Sequence, residues 1–150
     1  MVDLIALTNA FADTLAAIPE LPPLLVDPAA VIAYIDRNPT MNALAAAIYQ
    51  MKPGSVLVVW LESVLTQGEM EGWLHRYAFY VKALRNESPL DIIRAIVNGI
   101  PVPGDGQRWR YCPVLDGMLP TNIVEISRPT DEEGVDYYQI LSETKETGDI

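Results

Sequence analysis

The sequence predicts an α+β fold: a mainly antiparallel sheet with a long β-hairpin, an N-terminal helix and a second helix packed on one face. Apolar residues recur at helical spacing at the start of the chain, two long β-branched and aromatic runs occupy its middle, and a strongly capped helix follows them. The chain has 150 residues, of which 50% are hydrophobic, and this is enough for one core. We therefore expect a single α+β domain over residues 1–150, with 144–150 as a flexible tail.

The first third of the chain is predicted to be helical. An amphipathic helix is expected over 3–18, because apolar side chains recur there at steps of three and four residues. These side chains are Leu4, Leu7, Phe11, Leu15 and Ile18. Asp27 and Pro28 form an N-cap acid followed by a first-turn proline, which predicts a short helix over 28–36. A second short helix, rich in alanine, is expected over 41–51.

The middle of the chain predicts the hairpin. Residues 55–65 are β-branched and aromatic, which favours a strand, and a second strand is expected from about 71 to 84. Alternation along the second run places one set of side chains on the same face: Trp73, His75, Tyr77, Phe79 and Val81. Both runs exceed the usual strand length of about 5–6 residues. We therefore expect part of the hairpin to project beyond the core, with a tip at 64–71 that is mobile in a free subunit.

The clearest local signal is the start of the next helix. Ser88 is an N-cap residue, Pro89 suits the first helical position, and Asp91 suits the positive end of the helix dipole. The predicted helix spans 89–98. The side chains that it is expected to bury are Leu90, Ile93, Ala95, Ile96 and Val97.

Extended segments fill the last third of the chain. Strands are expected over 108–111, 122–126 and 135–143, where residues alternate in type. In the first of these strands arginines alternate with aromatic residues. That pattern occurs where proteins stack on nucleic acid, but arginine and tryptophan are also enriched at protein interfaces. We predict an edge strand or an interface there.

Neither the one histidine nor the one cysteine points to a chemical site. One histidine and one cysteine provide neither a two-histidine metal site nor an internal disulfide. We interpret His75 as a packed or hydrogen-bonded side chain within a strand, and Cys112 as a small buried apolar side chain. A Cys–His nucleophile pair would need the two on neighbouring strands. The acids of 131–136 lack the spacing of a calcium loop. We predict no catalytic residue, no cofactor and no metal.

Charge and hydropathy narrow the classes of partner. The chain has 10 Lys and Arg against 20 Asp and Glu, and its net charge of −10 disfavours specific nucleic-acid binding. Its apolar runs are shorter than the ~20 residues that span a bilayer, so we expect no membrane partner. With a single cysteine and no basic-then-apolar leader, the expected compartment is the cytoplasm. Both ends of the chain are acidic and most bases lie in the middle. This pattern favours a solvated acidic surface, and the alternative is a pair of complementary faces, one acidic and one arginine-bearing, that set the register between copies or partners.

The order of the elements resembles the tail terminator and tail-completion (head–tail joining) proteins of long-tailed bacteriophages. The residues that carry the resemblance are the opening helix Leu4–Ile18, the runs Val56–Leu65 and Trp73–Leu84, the helix Pro89–Val97 and the closing run Gly134–Leu141. The resemblance implies a non-enzymatic structural virion protein that forms a homo-oligomeric ring, commonly of six copies. It also implies an early strand within 28–51, where the local pattern predicts two helices.

The same resemblance implies partners and a location. Such a ring caps the tail tube and joins the tail to the head connector. The implied partners are other copies of this chain, the tail tube protein and a head-connector or neck protein. The implied location is the tail or neck of the virion, after assembly in the host cytoplasm.

Two other functions fit the composition. A small cytoplasmic α+β ligand-binding module or enzyme would place its pocket between helix 89–98 and the sheet, near His75, Tyr77 and Cys112. An acidic mimic of nucleic acid would instead need the acids of 116–150 in a continuous band on one face.

Overall fold

A computed structural model describes residues 1–27, 29–35, 41–66, 72–84, 88–100, 110–114, 117–128 and 137–147. The α-helices in these ranges are α1 (Leu4–Ala16), α2 (Met41–Tyr49) and α3 (Pro89–Gly99). The strands are β1 (Val31–Tyr34), β2 (Ser55–Thr66), β3 (Gly72–Lys82), β4 (Arg110–Val114), β5 (Gly117–Ser127) and β6 (Tyr138–Thr147). A 3-10 helix, Pro22–Leu24, follows α1.

The six strands form one sheet in the order β1-β2-β3-β6-β5-β4. β1 runs parallel to β2, and every other neighbouring pair is antiparallel. β2 and β3 are the predicted long hairpin, paired from Ser55 opposite Lys82 to Thr66 opposite Gly72. The predicted α+β class with a mainly antiparallel sheet is confirmed.

α1 and α3 pack on the same face of the sheet, as predicted, and form what we call the main core. Leu7, Phe11 and Leu15 of α1 are buried there, as the helical spacing predicts. The ring of Phe11 lies 4.7 Å from that of Tyr77 and 5.9 Å from that of Phe79. These separations lie in the range of favourable aromatic contacts, so α1 is anchored directly on β3.

The opposite face of the sheet is covered by α2 and forms a second core. Ile48 and Met51 pack there against Leu57, Val59 and Tyr80. The alanine-rich helix expected at this point of the sequence is confirmed. Because β2 and β3 are buried on both faces, their inner halves are almost continuously apolar rather than alternating.

The helix predicted after Asp27 (28–36) is wrong, since Val31–Tyr34 form β1. Oδ1 of Asp27 accepts a hydrogen bond of 2.7 Å from the N–H of Ala29. The acid that suggested a helix cap therefore closes a turn. An N–H of β2 then donates to the C=O of Ala30 at 2.9 Å and begins the parallel pairing. Residues 31–34 form a strand because they pair with β2, which is distant in the sequence. The local sequence pattern contains no information about this pairing.

The flexible tail predicted over 144–150 is wrong up to Thr147, because these residues continue β6. β3 needs a hydrogen-bonding partner on its second side along its whole length, and β6 provides it as far as Gly72 opposite Thr147. The final strand accordingly lies later in the chain than the predicted 135–143. Residues 148–150 lie outside the described residues.

α3 begins where predicted, and Ile93 and Ile96 are buried as predicted, but Leu90 is not. Leu90 was expected to be buried and is 58% exposed, whereas Ile92 is 2% exposed. Ile92, Ile93 and Ile96 face the main core. Leu90 and Ile92 lie on opposite sides of the helix because two residues correspond to about 200° of rotation.

Three predicted features fall wholly or partly outside the described residues. They are the outer part of the hairpin tip, 67–71, the acidic turn 131–136, and the start of the run 108–111. The described part of that run begins β4, which is an edge strand of the sheet, as predicted.

Ser88→Ala is expected to destabilise α3. Oγ of Ser88 accepts a hydrogen bond of 3.2 Å from the N–H of Leu90. Loss of an N-cap acceptor costs about 0.5–2 kcal/mol, and a loss of ~1 kcal/mol lowers the unfolding midpoint of a chain of this size by ~2–4 °C. Differential scanning calorimetry measures this shift. Ser88→Asn keeps an acceptor and is the control. An unchanged midpoint for Ser88→Ala contradicts the capping role.

Candidate functional site

Halfway along β2, the side chains of this hairpin strand change from buried to exposed. A β-bulge shifts the register between Trp60, which lies opposite Tyr77, and Glu62, which lies opposite Arg76. The side chains of β2 are buried as far as Val59, and from Trp60 onward they are exposed or half-buried. β3 stays covered because β6 pairs with it along the same length. Exposure beyond the bulge is therefore a property of β2 and not of the whole hairpin.

A series of hydrogen bonds crosses the sheet just past the bulge. Nε1 of Trp60 donates to Oγ of Ser63 at 2.9 Å, and this Oγ lies 2.7 Å from Nδ1 of His75. Nε2 of His75 lies 2.7 Å from Oε2 of Glu146. The His75 side chain is fully buried and that of Glu146 is 16% exposed. We call these four residues the polar network.

The donors and acceptors determine the direction of the polar network. An ionised Glu146 can only accept, so Nε2 of His75 carries the proton of their bond. The indole of Trp60 can only donate, so Ser63 accepts from it and keeps a second lone pair and its own proton for the bond with Nδ1 of His75. Both ring nitrogens of His75 are therefore satisfied without contact with solvent.

Glu146 is held in its charged form. Burial acts to raise the pKa of its carboxyl, but the hydrogen bonds from His75 and from the N–H of Val2 and the electrostatic attraction of neighbouring groups together lower it. The amine of Met1, which lies 3.8 Å from Oε1, acts in the same direction. The polar network thus joins the start of the chain, both hairpin strands and β6.

Two pairs of buried hydroxyl groups lie near the network, whereas Nε1 of Trp73 and Oγ of Ser142 are buried without a hydrogen-bond partner among the described residues. The hydroxyls of Thr8 and Tyr77 lie 2.8 Å apart, and those of Thr121 and Thr144 lie 3.0 Å apart. Burial raises the pKa of Tyr77 to about 12, although the hydrogen bond with Thr8 acts to lower it. Tyr77 is therefore a neutral hydrogen-bonding group at physiological pH.

The opposite face of this part of the hairpin carries an ion-pair cluster. Nη1 of Arg76 donates to Glu62, and its Nε lies 3.4 Å from Glu143. The hydrogen bond with Glu62 is the main reason that the pKa of Arg76 is raised. Glu62 is thus paired within the subunit, with a cation that it shares with Glu143.

His75 and Cys112 are not brought together. They lie in β3 and β4, and β6 and β5 separate these strands in the sheet. Three strand spacings amount to about 14 Å along the sheet. The space between α3 and the sheet is filled by Ile92, Ile96 and Phe79. The described residues therefore do not form the pocket that was expected for a ligand-binding module or an enzyme.

The order Ser63, His75, Glu146 is also the order of groups in nucleophilic catalysis. The geometry favours a structural role, because a catalytic imidazole must be reached by a substrate and this one has no exposed surface. Sequence analysis missed Ser63 and Glu146. The register of the hairpin contains the signal for Ser63, since it lies directly opposite His75. Glu146 is 71 residues from His75, and only the pairing of β3 with β6 brings it there.

Residues 60–65 form an apolar outer edge of β2, which we call the β2 edge. Its large apolar side chains, Trp60, Leu61, Val64 and Leu65, are 37–44% exposed. On this side of β2, β1 pairs only with Val56–Val59. Among the described residues no strand covers the main-chain groups of the β2 edge. An open apolar edge is a surface to which another strand can add.

A second apolar area surrounds β1, and we call it the β1 surface. Val26, Ile32 and Tyr49 are each about half exposed there. Val26 and Ile32 also line a cavity of about 310 Å³, together with Ala30 and Met51. The β1 surface and the β2 edge are the candidate functional surfaces of this protein. The hydrogen bonds of the polar network hold two residues of the β2 edge, Trp60 and Ser63, in place.

Glu146→Gln is expected to lower the free energy of unfolding by about 1.5–3 kcal/mol at pH 7, the usual contribution of a hydrogen bond to a charged group. Because the pKa of Glu146 is lowered in the folded state, this contribution is present above the unfolded value of about 4.3. It is lost as the pH falls through the folded pKa. Urea unfolding between pH 7 and pH 3 measures the difference from the wild-type protein, which is predicted to shrink as the pH falls.

Glu143→Gln is the matched control for this measurement. It removes a carboxylate from the same strand but on the opposite face, where Arg76 still pairs with Glu62. It is expected to change the free energy of unfolding by less than Glu146→Gln at pH 7. A loss for Glu146→Gln that is the same at pH 7 and pH 3 contradicts the charged state assigned to Glu146.

Comparison with known proteins assigns no identity to this arrangement. No protein-family model and no curated protein matches the chain. Within the described residues there is no group of three or more histidine, cysteine or carboxylate side chains that could hold a metal ion. No helix in the described ranges combines the length and hydrophobicity needed to cross a membrane.

Proposed function

We propose that this protein is a structural component of a bacteriophage virion, which caps the tail tube and joins the tail to the head connector as a homo-oligomeric ring. One observation carries the proposal: two different apolar areas, the β1 surface and the β2 edge, lie at separate places along the same strand. Exposed apolar patches mark sites of contact with other proteins. In a chain whose net charge is −10, such patches are stronger evidence of a protein contact.

The two areas are separate enough to serve as the two contact surfaces of a ring. The β1 surface borders the start of β2 at Ser55–Leu57, and the centre of the β2 edge lies roughly 20 Å further along the strand. Where the β1 surface of each copy meets the β2 edge of one neighbour, and its β2 edge meets the β1 surface of another, the contact is heterologous. Such a contact closes into a ring when the rotation between neighbours divides a full turn. Six copies is the number that the resemblance to tail terminator and tail-completion proteins implies.

The order of elements supports the same proposal. β1 is the early strand that the resemblance implies, and it lies where local signals predicted a helix. The long hairpin, α3 and the final strand follow in the implied order. The burial of His75, with both ring nitrogens engaged, supports a structural role rather than an enzymatic one.

The proposed partners are other copies of this chain, the tail tube protein and a head-connector or neck protein, in the tail or neck of the virion. The excess of acids favours partners that present basic or apolar surfaces, and it disfavours nucleic acid.

Light scattering after size-exclusion chromatography tests the ring. Over a series from about 1 to 100 μM, we expect the mass to rise from that of one subunit to a plateau near six subunits, because a closed ring leaves no unpaired surface for growth. The ring is also expected to co-sediment with tubes of its own tail tube protein, while tubes of an unrelated phage serve as the control. A monomer at every concentration, with no binding to tubes, contradicts the proposal.

A further inference from the structure

We propose that neighbouring copies join by main-chain pairing, in which β1 of one copy adds to the β2 edge of the next. This inference rests on the proposed ring and names the surfaces that form its contact. It identifies the partner at the β2 edge as a second copy of this chain.

Main-chain groups on both surfaces point away from the sheet to which they belong. An N–H of β2 donates to the C=O of Ala30. Alternation along β1 then directs the N–H and C=O groups of Val31 and Ala33 to the outer side. In the sheet of described strands, β1 has β2 as its one neighbour and the β2 edge is paired only with β3. Within that sheet each copy therefore presents one outer strand and one uncovered length of strand.

The strand at the other end of the sheet is a poorer candidate. In β4, Pro113 lies opposite Met118 of β5. A proline fits an edge strand when its nitrogen, which has no N–H, points to the outer side. With the proline in that position, the free side of β4 lacks one N–H donor, so β4 is less suited to pair with a strand of another copy. β1 has no proline, so it is the better partner for the β2 edge.

Apolar side chains flank both members of the proposed pair. Leu61 and Leu65 extend from the β2 edge, and Ile32 extends from β1 beside the 310 Å³ cavity. In strand addition, main-chain hydrogen bonds supply affinity, and pockets beside the strand select side chains. The cavity of one copy is placed to receive a leucine of its neighbour, which would define the register.

The charges let two copies of an acidic chain meet at these surfaces. Glu62, the one acid among residues 60–65, is paired with Arg76. The cavity beside β1 is lined by one acid, Asp27, and one base, Lys52. Among the described residues, the two surfaces can therefore meet with each charge near an opposite one.

Two substitutions test the two surfaces of the contact one at a time. Leu65→Lys places a charge on the β2 edge, and Ile32→Lys places one on the β1 surface. Leu90→Lys is the matched control, since Leu90 is more exposed than either residue and lies on α3, away from both surfaces. Far-UV circular dichroism checks that each variant is folded. Light scattering then measures assembly.

Each of the two variants is expected to associate at least ~10-fold more weakly than the wild-type protein, while Leu90→Lys forms the same ring as the wild type. A mixture of Leu65→Lys and Ile32→Lys is expected to form 1:1 dimers and nothing larger. Each dimer joins the one intact β1 surface to the one intact β2 edge and leaves a lysine on both outer surfaces. Rings from either variant alone, or a mixture that stays monomeric, would overturn the pairing.

Hydrogen exchange on the wild-type protein provides a test that needs no variant. On assembly, the amides of 60–65 and of Val31 and Ala33 are expected to exchange more slowly, because new main-chain hydrogen bonds protect them. A wild-type ring with unchanged exchange at both segments overturns the pairing and leaves the proposed ring intact. A wild-type protein that never assembles overturns both.

Discussion

The rest of the structure depends on the pairing of β3 with a neighbour on each side along its whole length. β2 and β6 satisfy its main-chain groups from Gly72 to Val81, so the strand can be buried among side chains on both faces. Tyr77 and Phe79 then receive α1 and α3 on one face, and Tyr80 meets α2 on the other. The same pairing carries Glu146 to His75, so the polar network is a consequence of where β6 ends.

The unequal lengths of neighbouring strands create the surfaces to which we assign function. β1 has 4 residues and β2 has 12, so among the described strands the outer side of β2 is covered only near its start. Proteins usually protect such an edge with charges, bulges or a covering segment. Here the bulge before Glu62 is present and the acid is neutralised by Arg76, but large apolar side chains remain exposed. The polar network beneath fixes Trp60 and Ser63 to β3, which gives the β2 edge a rigid base.

Local signals were sufficient for the elements that local interactions determine. The period of α1, the cap of α3 and the alternation along β3 each lie within a dozen residues, and the structure confirms these elements. The turn at Asp27 was mistaken for a helix cap because an aspartate accepts an N–H hydrogen bond in both, and the choice was made by β2, more than 20 residues away. The same limit applies to the site. Ser63 opposite His75 follows from hairpin register, whereas Glu146 depends on strand order, which no local pattern contains.

A cryo-electron microscopy structure of the assembled protein tests the central claim most directly, because it resolves what lies beside Trp60–Leu65. We predict a closed ring in which β1 of the neighbouring copy continues the sheet at the β2 edge, with a leucine of that edge in the cavity next to Ile32. A ring in which the β2 edge faces solvent, or in which a different segment of the neighbour covers it, would contradict this claim.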